Sequence, residues 1–348
     1  MGINPIGLTG IEFVEFASPE PEKLDALFKA FGFSKVKRHT HKKIDYYRQN
    51  DIHFLINQEP GSFAQSFYQA HGPSICSMGW RVMDPIKARE EAIKRGAKGS
   101  ELSDFNDPSG KKIPAIYGIG DSLIYFIGPS RPIDETYTKL GFGPHPKPFI
   151  QPDMGFASID HLTNNVPQGT MAQWADFYKS VFGFTEIRYF DIRGVQTGLT
   201  SYALRSPDGS FCIPINEGTE EKSQINEYLR EYKGSGIQHL AFQTNDILKS
   251  LEKLKDSAIE TLDIDDDYYA SIYDRVPNVL ENKSKIRKFN VLVDGDDKGY
   301  LLQIFTKNLI GPIFIEIIQR KNNHSFGEGN FGALFRSIER DQKRRGTI

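Results

Sequence analysis

Two periodicities alternate along the chain. Runs such as GIEFVEF (residues 10–16) and SIDHLTNNV (158–166) put apolar side chains at alternate positions, the pattern of a strand with one buried face. Each run leads into a stretch, SPEPEKLDALFKAFGF and TMAQWADFYKSVFGF, whose apolar residues recur three and four positions apart and which stops at Phe-Gly-Phe. That spacing predicts an amphipathic helix. The same order returns in SMGWRVMDPIKAREEAIKRGA (77–97) and GIQHLAFQTNDILKSLEKLKDSA (236–258), where Asp84 stands as an N-cap and Pro85 at the first helical position. Short β-rich runs follow, among them FCIPINE, KFNVLVDGDDKGYLLQIFT and PIFIEIIQR. The chain reads as a βαβββ unit written four times, two units per half, which predicts a duplicated α+β fold.

Six of the 19 prolines fall between Pro129 and Pro152, where they can neither continue a helix nor fill central strand positions. This predicts an N-terminal domain over 1–128, a Pro-rich linker over 129–155 and a C-terminal domain over 156–348. Residues 256–290, with the acidic run IDDDYYASIYDRVPNVL, read as a helical insertion whose acidic face is solvated. The most apolar stretch, Tyr300 to Ile318, is interrupted by Gln303, Lys307, Asn308, Gly311, Pro312 and Glu316. It predicts two buried strands and a turn, not a membrane span.

Composition adds exclusions. The 348 residues carry 43 Lys and Arg against 45 Asp and Glu, a formal charge of −2, so no basic excess points to nucleic acid. With 39% hydrophobic and 25% charged residues the chain has the make-up of a soluble globular protein. Only Cys76 and Cys212 are present, which fits a reducing compartment. The opening MGINPIGLTG has no charged segment followed by an apolar one, and Ile6 stands where a myristoylation motif requires Ser or Thr. The expected location is the cytoplasm, without a membrane partner.

The candidate chemistry lies in three strands of the second half. His161 alternates with Ile159 and Thr163, His239 with Ile237 and Ala241, and Glu316 with Phe314 and Ile318, so all three polar groups fall on inward faces. A carboxylate among Phe314, Ile315, Ile317 and Ile318 would cost several kcal/mol if ionised and unpaired. A metal resolves that cost, and two imidazoles with one carboxylate form the facial triad of non-haem Fe(II) oxygenases, which leaves positions open for substrate and dioxygen. The spacing joins the three: 78 residues separate His161 from His239 and 77 separate His239 from Glu316. In the first half the positions matching the two histidines hold Phe13 and Ser77, which predicts one catalytic half and one structural half.

The runs IDHLTNNV, IPINE, KSQINEYL, GIQHLAF, GYLLQIFTK, FIEIIQR and FGEGNFGALFRSIERDQKRRG resemble the 4-hydroxyphenylpyruvate dioxygenase family of the vicinal-oxygen-chelate superfamily. The resemblance is strongest over residues 157–345. It implies two open-barrel domains, with His161, His239 and Glu316 as iron ligands and a C-terminal helix that gates the site. It also implies a polar set around the substrate, namely Ser201, Asn216, Gln224, Gln238 and Gln303, the last two orienting it. Amides and a hydroxyl can hydrogen-bond a phenol without a charge that would compete with the metal. The aromatic set carried over is Phe305, Phe314, Phe326 and Phe331, with Asn330 beside Phe331 at the mouth.

By the same resemblance the substrates are 4-hydroxyphenylpyruvate and O2, the products homogentisate and CO2, and the chain self-associates through its N-terminal half. The alternatives are a 4-hydroxymandelate synthase with the same triad, in which the pocket around Pro214, Phe305 and Phe331 directs attack to the benzylic carbon, and a binding protein without turnover. A zinc or nickel lyase would need a fourth protein ligand, and His39, His41, His53, His71, His145 and His324 lie outside the matching strand positions. At the C-terminus, Gly327 reads as a hinge into a helix whose Phe331, Leu334, Phe335 and Ile338 share a face.

Overall fold

The βαβββ order recurs four times in a computed structural model that describes residues 3–129, 133–193 and 197–347. The first two units share one nine-stranded sheet. From edge to edge it runs Gly99–Ser100, Ala115–Tyr117, Leu123–Ile127, Ser74–Val82, Leu8–Ala17, Ile52–Asn57, Ile44–Gln49, Ser34–His39 and Phe142–Phe149. The last two units share an eight-stranded sheet: Thr185–Arg193, Gly198–Arg205, Cys212–Gly218, Phe156–Val166, Gly236–Thr244, Phe314–Lys321, Tyr300–Phe305 and Leu292–Gly295. In both sheets the first strands of two units pair antiparallel at the centre, and each also pairs in parallel with the last strand of its own unit.

Local chemistry explains the helices. Asp84 caps Pro85–Lys94 by accepting from the amides of Ile86 and Lys87, and Ser223 caps Gln224–Tyr232 by accepting from Asn226. Gly183, with φ 78°, closes Met171–Phe182 in the left-handed conformation at the second Phe-Gly-Phe. The apolar faces of the helices meet a core common to both halves. Phe31 and Phe33 pack on Phe242 at 5.7 and 5.9 Å, and Trp80 packs on Phe182 at 4.8 Å.

The two sheets have the same register but different contents. His161 pairs with Ala241, Thr163 with His239, and Ala241 with Glu316. In the N-terminal sheet the equivalent pairs are Phe13 with Gly79, Glu15 with Ser77, and Gly79 with Tyr125. Phe13, Ser77 and Tyr125 thus occupy the three positions of His161, His239 and Glu316. Phe13, Phe105 and Tyr125 pack edge to face there, and a Cβ on Gly79 would meet the Phe13 ring at 2.5 Å. Behind them Glu15 accepts from Ser77 and Asn57, and the same Asn57 amide also reaches Asp104.

Two expectations are corrected. The stretch 129–155 is not simply a linker, because Ile133–Lys139 is helical and Phe142–Phe149 extends the N-terminal sheet to residue 149. That strand tolerates Pro144, Pro146 and Pro148 because it lies at the sheet edge, pairing only with Ser34–His39, so the missing N–H groups face no second partner. Residues 130–132 of the stretch lie outside the described residues. The acidic insertion does hold two helices, Asp266–Arg275 and Lys283–Lys288, but its leading aspartates are not merely solvated. Asp265 pairs with Arg336 and Arg340, and Asp263 with Arg344, all on the C-terminal helix Phe331–Arg345.

Candidate metal centre

His161, His239 and Glu316 converge from three adjacent strands. His161 Nε2 lies 3.0 Å from Glu316 Oε2, His239 Nε2 lies 3.4 Å from the same oxygen, and the two imidazole nitrogens are 3.3 Å apart. Ligand atoms at neighbouring corners of an octahedron with bonds of roughly 2.1 Å stand about 3 Å apart, so these donors fit one divalent ion. No other three His, Cys, Asp or Glu side chains converge in this way among the described residues.

The electrostatics agree. Burial pulls the His161 pKa down, yet the Glu316 charge and the Asp160 hydrogen bond outweigh it and hold the ring up at about 9. Burial alone would raise Glu316, but the two histidines bring it below its ordinary value. His239 is lowered, chiefly by burial. A cation in the triad satisfies the same carboxylate and leaves both imidazoles neutral.

The histidines are aimed by their outer nitrogens. His161 Nδ1 is 2.7 Å from Asp160 Oδ2, and Arg320 grips that carboxylate with two bonds of 2.7 and 2.8 Å. His239 Nδ1 donates to Gln238 Oε1 at 3.1 Å. Such partners fix the tautomer and the ring plane of a ligating imidazole. Asp160 and Arg320 are the functional residues that sequence reasoning missed, and the only signal was an acid beside a histidine and an arginine closing the Glu316 strand.

A cavity opens beside the triad. Its polar lining includes Ser201, Asn216, Gln224, Gln238 and Thr163, and its apolar lining includes Phe305, Phe314, Phe326 and Phe331. Ser201 and Asn216 are direct cross-strand partners, and Gln224 begins a helix. Leu334, Phe335 and Ile338 of the C-terminal helix form the roof, and Phe190, Ile192 and Leu199 continue the apolar wall.

Two expected members stand apart from that lining. Gln303 is buried with neither amide atom partnered, and it shares the inward face with Phe305, the cross-strand partner of Glu316. Gly327 lies against its amide, since a Cβ there would fall 2.4 Å from Gln303 Nε2. Asn330 is fully buried away from the cavity, its side-chain oxygen accepting from Tyr268 and Arg275 at 2.7 and 3.2 Å. It anchors the root of the C-terminal helix.

Duplicated βαβββ sheets, one carrying two histidines and a glutamate beside a cavity, define a glyoxalase-type α+β fold. Residues 3–138 match the model for the N-terminal domain of hydroxyphenylpyruvate dioxygenase, and residues 158–304 match the glyoxalase/bleomycin resistance protein/dioxygenase superfamily. The chain is 57% identical to protein MelA of Shewanella colwelliana, covering 99% of both chains. It is 44% identical to a 4-hydroxyphenylpyruvate dioxygenase of Legionella pneumophila, covering 99% of this chain and 98% of that one. A solved variant of 4-hydroxymandelate synthase from Streptomyces coelicolor shares the fold, with TM-score 0.83, 22% identity, and coverage of 97% of this chain and 99% of that one. The chain belongs to the 4-hydroxyphenylpyruvate dioxygenase family.

Proposed function

We propose that this protein is an Fe(II)-dependent 4-hydroxyphenylpyruvate dioxygenase, converting its substrate and O2 to homogentisate and CO2. The observation that carries the proposal is the triad, with donor separations of 3.0 to 3.4 Å, facing a cavity that is aromatic on its walls and uncharged in its polar groups. Bound iron would supply two-oxygen chelation of a 2-oxo acid and activation of O2.

The chain's own residues set the rest. Phe305 and Phe331 clamp an aromatic ring, and Phe314 stacks on His239 at 4.6 Å, which keeps that ligand from turning. Gln238 and Gln303 offer amides toward the oxo-acid end, and Ser201, Asn216 and Gln224 toward the phenol. The C-terminal helix excludes water while the ring is held. The proposal places the reaction in tyrosine and phenylalanine breakdown, in the cytoplasm, by a chain that self-associates through its N-terminal half. No helix among the described residues is long and apolar enough to cross a membrane.

The test is oxygen uptake by the purified protein with Fe(II), ascorbate and 4-hydroxyphenylpyruvate, with the product identified by mass and chromatography. Homogentisate in step with oxygen supports the proposal. 4-Hydroxymandelate would make the protein a synthase, and no uptake with iron and substrate bound would make it a binding protein.

A further inference from the structure

One guanidinium touches both the candidate metal centre and the root of the helix that covers it. Arg320 lies four residues beyond Glu316 on the same strand, and its side chain is 11% exposed. Its Nε and Nη2 hold the two oxygens of Asp160 at 2.7 and 2.8 Å, and Asp160 Oδ2 holds His161 Nδ1 at 2.7 Å. Its remaining nitrogen, Nη1, donates to the backbone oxygens of Ser325 at 2.6 Å and Asn323 at 3.3 Å. The guanidinium also lies 5.8 Å from the Phe326 ring, and that ring packs edge-on to His161 at 5.6 Å.

The segment from Asn323 to Phe326 leads directly into the cover. Asn323 Oδ1 folds it by accepting from the amide and hydroxyl of Ser325 at 2.9 and 2.6 Å. Gly327 follows in the left-handed region at φ 77°, then a short turn, then the C-terminal helix. Phe326 passes the contact onward, since it packs on Phe190 at 6.2 Å, and Phe190 packs on Phe331 at 5.5 Å.

We infer that Arg320 is a positioning residue that couples metal occupancy of the triad to closure of the C-terminal helix. An imidazole that gives Nε2 to a metal must present Nδ1–H to its outer partner, so occupancy fixes His161 against Asp160 and Asp160 against the guanidinium fork. The same guanidinium then has one orientation left for Ser325 and Asn323. A planar fork can serve both sets of acceptors at once, whereas a lysine ammonium, a single point donor, cannot. By linkage, whatever the metal does for the cover, the closed cover does for metal affinity.

The inference rests on reading the triad as a metal site, but not on which reaction it performs. The experiment uses the full chain with Co(II) or Fe(II), in three forms: wild type, Arg320→Lys and Asp160→Asn. Metal affinity is read by competition with a chelating dye, and hydrogen exchange of residues 323–345 is followed with and without metal. In wild type, metal slows exchange across that segment. In Arg320→Lys, affinity falls by roughly 10- to 100-fold, the range typical of lost outer partners, and saturating metal no longer slows exchange. In Asp160→Asn, where Arg320 still reaches Ser325, exchange without metal matches wild type but the metal-dependent slowing is lost.

A residue that merely braced the fold would change exchange equally with and without metal. Metal-dependent slowing that persists at wild-type size in both variants overturns the inference while leaving the metal site standing. Wild-type protein that binds no metal, or binds it as well after His161→Ala, overturns the metal site and the inference together. A common thermal midpoint in all three forms shows that the comparison is between folded proteins, and if Arg320→Lys misfolds, Asp160→Asn alone decides.

Discussion

The C-terminal helix is held by apolar contacts more than by its many charges, and Phe335→Ala tests this. Phe335 is 2% exposed and sits in a cluster with Phe190, Ile192, Leu199, Ala203 and Ile225. Truncating a buried phenylalanine costs about 3–5 kcal/mol. The lower figure, about 3 kcal/mol, applies here, because the roof of a cavity can settle into the space left. Against this stand four ion-pair contacts: Arg336 and Arg340 to Asp265, Arg344 to Asp263, and Arg345 to Glu227. Most of these side chains are a third to more than half exposed, so each pair contributes about 0.3 kcal/mol, the four together about 1 kcal/mol, and all are screened by salt.

The assay is hydrogen exchange of residues 331–345 under conditions where it reports equilibrium opening. At about 1.4 kcal/mol per tenfold, Phe335→Ala should speed exchange by roughly 100-fold, and 1 M salt on the parent protein by less than roughly tenfold. A larger effect from salt than from the substitution would refute the reasoning, as would exchange unchanged by Phe335→Ala.

Three further outcomes follow from the same contacts. His161→Ala should abolish Fe(II) binding with the circular dichroism spectrum retained, and normal turnover by that variant would remove His161 from the ligand set. Asn330→Ala removes one of the two acceptors that the Tyr268 hydroxyl and Arg275 share, the other being the Val293 backbone oxygen, which should lower stability by about 0.5–1.5 kcal/mol in urea unfolding; an unchanged midpoint would show that the Val293 oxygen suffices. Glu15 is pushed up to about 7 by burial and then by Asp104, so the folded protein takes up a proton that the unfolded chain releases near 4.5. The stability this brings is complete below about 4.5 and lost as pH rises through about 7. Glu15→Gln should therefore gain stability over the parent as pH rises from 5 to 8, and a pH-independent difference between the two would sink the assignment.

The four βαβββ units were legible because strand and helix write different periods into the sequence, and Asp84 and the glycine of the second Phe-Gly-Phe mark ends by local chemistry alone. The triad was legible because a buried acid needs a partner and the duplication supplied a control in Phe13 and Ser77. What was hidden is what depends on distance or direction. Asp160 and Arg320 meet across 160 residues, and Asp265 meets Arg340 across 75, with no pattern in the intervening sequence. Asn330 reads as a pocket residue because the sequence names a residue but not the way its side chain points, here toward Tyr268 and Arg275. The prolines of residues 144–148 announced a break where there is an edge strand, since an edge forgives an absent N–H as readily as a loop does.

The N-terminal sheet repeats the pairing that brings the three ligands together, and Phe13, Ser77 and Tyr125 are already seated where those ligands would stand. The same strand pairing therefore frames a second set of three inward positions, and in this half a packed aromatic cluster stands where the other half gathers its donors. Specialisation between two copies of one architecture has here come down to the side chains at three positions. A designer wishing to place donors in the N-terminal copy would start from the same strand pairing, with rings to remove and the loss of their packing to make good.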